Sequence, residues 1–168
     1  SAKGAADALS FVRSESQRLG LDLATADDQF GKLTAASKGT ALEGKATRDI
    51  FTSVAQAAAA LGLSAEQTGG SLLAIQQIIS KGTVSAEELR GQLRERLPGA
   101  FQIAARAIGV ATHELDKLLR TGSVTAEQLL PALSRELDKT FGSQSEQAAK
   151  GLTAQINRMN TAIFDLKI

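Results

Sequence analysis

Proton transfer, metal ligation and phosphate recognition each need particular side chains at particular spacings, and this chain supplies few of them. His113 is the single histidine in 168 residues, and cysteine is absent. That composition removes thiolate nucleophiles, disulfides and thiolate metal sites, and it fits a reducing compartment. Acid–base work by paired carboxylates would fall to Glu87, Glu88 and Glu95. Glu87 and Glu88, however, open a predicted helix, where negative charge complements the free amides of the first turn, so capping accounts for them without catalysis. His113 lies in the first turn of another helix, THELDKLL, where a solvated imidazole is the expected role. No glycine loop suited to phosphate and no histidine–carboxylate metal spacing is present. Arg90, Arg94 and Arg96 form a basic cluster that Glu87 and Glu95 partly offset. Arg90 and Arg94 stand four apart and repel mildly, which favours an acidic partner on that side. The chain reads as a non-enzyme with no catalytic, cofactor or metal residue to assign.

The elements that carry these residues are helical. Hydrophobic residues make up 43% of the chain, leaning on Ala, Leu and Ile, and six Phe stand without Tyr or Trp. Such a composition favours closely spaced helices over strands stocked with large side chains. The expectation is an all-α protein: a compact module of short helices joined by glycine-containing corners, followed by a longer C-terminal helix. Nineteen basic and eighteen acidic residues leave a formal charge of +1, so no net field draws the chain to phosphate or membrane. No uncharged apolar run approaches the roughly 18 residues that a membrane-spanning helix needs.

Residues 81–100, KGTVSAEELRGQLRERLPGA, pack a helix stop, a helix start, a leucine stripe and a second break into twenty positions. Gly82 can end the preceding helix, and Ser85 with Glu88 three residues on can cross-bond the amides that open the next. Leu89, Leu93 and Leu97 share one helical face until Pro98 removes a donor and Gly99 loosens the restart. Ser85, Glu88, Leu89, Leu93, Leu97, Pro98 and Gly99 are therefore the structural motif of the chain. The same punctuation recurs: GTVSAEEL at residues 82–89 is matched by GSVTAEQL at 122–129. An internal duplication and two corners converging on one capping chemistry both explain the match. Gly91 and Pro131 follow each cap by six residues and predict bent or restarted helices.

Upstream, Ala5 to Leu19 reads as an amphipathic helix ended by Gly20, and Thr25 with Asp28 resembles a capping pair for a second. Ala46 to Leu61 carries an alanine tract that lets a neighbour approach closely. Ser71 to Ser80, apolar nearly all round, is the expected centre of the fold, with Gly69-Gly70 as a weak joint beside it. Downstream, AARAIGVATHELDKLL, residues 104–119, has the corner of a helix-turn-helix, the alternative nucleic-acid-binding reading. Its second helix presents Glu114 and Asp116 beside Lys117 and Arg120, which suits phosphate poorly. Last, Leu152, Ile156, Met159, Ile163 and Leu166 alternate three and four apart, a heptad seam with no stop signal before Ile168. The seam is a candidate oligomer surface; a terminal helix laid on the domain fits the same residues. The expected division is 1–142 as module and 143–168 as the start of a coiled-coil-like shaft.

The run VSAEELRGQLRERLPGA, followed by FQIAARAIGVATHELDKLLRTGSVTAEQLLPAL, resembles the tape measure domain of tailed-bacteriophage and prophage tail tape measure proteins, over about residues 30–140. Its most specific pieces are Glu88-Leu89-Arg90, Gln92-Leu93 and Leu97-Pro98-Gly99-Ala100, then Gly109, Leu115, Gly122 and Val124. Arg94 departs from the pattern, standing where glycine is the more usual residue. The resemblance implies a structural role in tail assembly and tail-length determination, in the host cytoplasm and then in the tail lumen. The implied partners are tube, tip or chaperone proteins and further copies of the same chain, with no cofactor.

Overall fold

A computed structural model of the chain describes residues 1–167, and the side chain of Leu152 and the chain-end position Ile168 lie outside the described residues. The all-α expectation holds. Nine α-helices are formed among the described residues: α1 (Ala2–Leu19), α2 (Leu23–Ser37), α3 (Lys45–Ala60), α4 (Ala65–Lys81), α5 (Arg94–Arg96), α6 (Ala100–Ile108), α7 (Thr112–Arg120), α8 (Ala126–Ala148) and α9 (Leu152–Leu166). A π-helix, Glu87–Leu93, runs directly into α5. The expectation of a longer C-terminal helix is corrected: α9 has 15 residues, and the longest helix among the described residues is α8 with 23.

The core is built around α3. Its residues Phe51 and Ser53 to Ala58 are all buried, and its most extensive packing is against α8, whose Leu130, Leu133 and Leu137 are also buried. The alanines Ala55, Ala57 and Ala58 leave room for that approach. Ser134 Oγ on α8 donates to the Asp49 carbonyl of α3 at 3.0 Å. Phe11, Phe30 and Phe51, one each from α1, α2 and α3, meet with ring centroids 5.2–5.9 Å apart in tilted and edge-on contacts. The centre of the fold is therefore α3 and not residues 71–80: α4, which holds those residues, is a major core helix, but α3 is the one enclosed on nearly every side.

Gly69-Gly70 is also no joint. Helix α4 passes through it from a reciprocal box in which Ser64 caps the Gln67 amide and Gln67 returns to Ser64. The two glycines serve packing instead. A Cβ on Gly69 would stand 3.1 Å from Thr25 Cγ2, and one on Gly70 would stand 2.4 Å from Arg96 Cδ and Nε. Thr25, expected to cap α2 with Asp28, is itself the capped residue: Asp22 accepts from the Thr25 amide at 3.1 Å and from its hydroxyl at 2.7 Å.

Pro131 does not restart a helix. α8 runs on to Ala148 through it, although the ring removes the donor that the Glu127 carbonyl would otherwise receive. Gly91, by contrast, does mark an irregularity, since it lies within the π-helical turn.

Candidate functional site

The two matching corners lie side by side. Thr83 and Thr125 form an antiparallel bridge, with the Val84 amide donating to the Val124 carbonyl at 2.9 Å and the Ala126 amide to the Gly82 carbonyl at 2.8 Å. Val84 and Val124 are both buried beneath it. The bridge ties the end of α4 to the start of α8, so the sequence echo is a contact in the fold.

Their caps differ in chemistry. Thr125 and Gln128 make the reciprocal box, each side chain bonding the other's backbone amide at 3.2 Å. Ser85 accepts only a long contact from the Glu88 amide, 3.4 Å, and the Glu88 carboxylate turns inward, where it is 1% exposed. It accepts there from the Ser85 hydroxyl and from Lys81 Nζ. The carboxylate holds the Lys81 ammonium above its usual range, first through the hydrogen bond and then through charge attraction. A buried carboxylate needs such partners. In place of the expected cross-bond, Glu88 joins the last residue of α4 to the first turn of the π-helix.

Leu89, Leu93 and Leu97 are fully buried, so the stripe is core. Leu97 is extended (φ −120°, ψ 93°), as a residue before proline prefers, and Gly99 takes φ 83°, ψ −3°. The Ala100 amide bonds the Leu97 carbonyl at 3.1 Å. Leu97-Pro98-Gly99-Ala100 is thus a type II turn, with proline at its second position and glycine at the third, which requires positive φ.

Arg90 is engaged from two sides, at 2.7 Å from Asp116 Oδ1 and 5.4 Å above the Phe101 ring. Asp116 also takes Arg120 at 2.7 Å. The helix–corner–helix of α6 and α7 therefore forms, with its acid holding two nearby guanidinium groups within the module. His113 is exposed at the start of α7. Among the described residues, no group of three or more His, Asp or Glu is placed to hold a metal ion, and no helix is long and apolar enough to cross a membrane.

The described seam residues do not join the core. Ile156, Met159, Ile163 and Leu166 are 44%, 57%, 45% and 86% exposed. What α9 turns to the body is its opposite side. Asn157 Nδ2 donates to the Gly20 carbonyl at 3.0 Å, Arg158 Nη2 to the Gln17 carbonyl at 3.1 Å, and the Leu23 amide to Thr161 Oγ1 at 3.1 Å. Arg13 pairs with Asp165 at 3.1 Å. Gly20, the left-handed cap of α1 at φ 70°, admits the helix closely: a Cβ there would sit 2.3 Å from Ala154 Cβ.

The body thus fixes one helix by its polar side and leaves an apolar stripe outward, with no catalytic cluster built from the described residues. The comparisons give the chain its family. The family described as "Tape measure protein" matches residues 1–167. A relative, the "Probable tape measure protein" of Salmonella phage Felix O1 (isolate Felix O1-VT1), is 36% identical over 147 residues, covering 86% of this chain and 20% of that protein. The chain belongs to the tape measure protein family of bacteriophage tails, and it spans about a fifth of the length of that relative. No solved structure matches it.

Proposed function

We propose that this chain is a folded module of a tail tape measure protein, one that takes part in setting tail length and scaffolding the tube through protein–protein contacts alone. The observation that carries the reading is the outward stripe of Ile156, Met159, Ile163 and Leu166. Its 3-4-3 spacing suits another helix with the same repeat. Residues 1–142 serve as the module and 143–168 as the start of a shaft in which copies associate through this stripe. Tube, tip or chaperone proteins are the other partners in this reading, met in the host cytoplasm during assembly and in the tail afterwards.

A ruler of this kind converts chain length into distance, at about 1.5 Å per helical residue. The test is electron microscopy of tails assembled with in-frame deletions in the long protein outside this module. Tails shortening by about 1.5 Å per residue removed are expected; tails of unchanged length contradict the reading.

A further inference from the structure

Helix α9 meets the rest of the protein with the face that a soluble helix ordinarily gives to water. The continuous hydrophobic core runs from Val12 to Phe141 and includes none of the described α9 side chains. Ala154 is the one apolar α9 side chain buried among those described, and it is a single methyl group seated on Gly20. The remaining contacts are polar, and most end on backbone groups of Gln17, Gly20 and Leu23. The packing is also incomplete on both flanks. A cleft of about 300 Å³ lies between the start of α9 and the α3–α4 corner, bounded by Leu61, Leu63, Thr68 and Asn157. Another of about 320 Å³ lies between α9 and α1, bounded by Ser16, Arg158 and Ala162. Ser16 Oγ, buried beside that second cleft, has no hydrogen-bond partner among the described residues.

We propose that α9 is a detachable strap, which leaves α1 and α2 as a unit about the Ala149–Gly151 link while α1 to α8 stay folded. The physical basis is the small hydrophobic loss on departure. Among the described side chains, one methyl contact, a few water-replaceable hydrogen bonds and the half-exposed Arg13–Asp165 pair hold the strap, and the continuous core lies outside α9. Undocking frees the polar face of α9 and leaves its apolar stripe able to turn in any direction towards a second helix. The proposal stands on these contacts and not on the tail reading, so either can fail without the other.

Amide hydrogen exchange of the intact chain tests it. A free 15-residue helix is marginal in water, so undocking exposes its amides. The amides of residues 156–160 are expected to exchange at least about 100-fold faster than the buried amides of α3 and α8. Ala154→Phe sets a ring against Gly20 at the seat of the strap and should speed the α9 amides by about a further tenfold, with α3 and α8 unchanged. Exchange of α9 in step with α3 and α8 in the unsubstituted chain overturns the proposal. So does an Ala154→Phe variant that fails to fold, that loses protection in the core together with α9, or that leaves α9 exchange unaltered.

Discussion

Gly91 and Gly99 lie eight positions apart, and the same substitution should act on them in opposite directions. Gly99 holds φ 83° inside the type II turn that aims α6, whereas a Cβ on Gly91 would meet no atom within 4 Å. An alanine forced into the left-handed region costs about 1–2 kcal/mol. An alanine within a helix with free space gains about 0.5–1 kcal/mol over glycine. Gly99→Ala is thus expected to lower, and Gly91→Ala to raise, the urea midpoint of unfolding. The turn at Pro98-Gly99 was legible in the sequence as a break, because proline and glycine restrict the backbone locally. The burial of Glu88 was not. Its spacing from Ser85 announces a cap, but the pull of Lys81 comes from the end of another helix and leaves no mark in the local pattern.

At the scale of elements, local pattern sets where helices lie and packing decides what interrupts them. The last turn of α1, the loop after α2 and the corners at Gly82, Gly109 and Gly122 follow from periodicity and helix-ending residues. Gly69-Gly70 and Pro131 look like breaks in the same code, yet α4 and α8 pass through both. Long helices with strongly buried faces carry a local cost that packing elsewhere offsets. Pro131 should still cost stability, since the Glu127 carbonyl loses its helical donor. Pro131→Ala is accordingly expected to stabilise the protein by about 1–3 kcal/mol, read by chemical denaturation with helix content unchanged. A null or negative change would mean that the ring itself packs productively against its neighbours.

For the whole molecule, the sequence separates two uses of apolar periodicity that only the fold can assign. Leu89, Leu93 and Leu97 repeat every four residues and vanish into the core, while Ile156, Met159 and Ile163 repeat at the heptad spacing and face outward. Helix α9 is laid on the domain by one side, and Ile156, Met159, Ile163 and Leu166 face outward on the other. Which side would dock depended on Gly20 and the backbone carbonyls near it, with Gly20 137 residues before Asn157 in the chain, where no local spacing reveals it. In the function proposed above, the outward stripe carries association while the body only presents it. Sedimentation equilibrium of the chain and of its Ile156→Asp/Ile163→Asp variant tests this directly. An associating chain is expected, with a monomeric variant of the same helix content and the same unfolding midpoint; the same oligomeric state in both would contradict a role for the stripe in association.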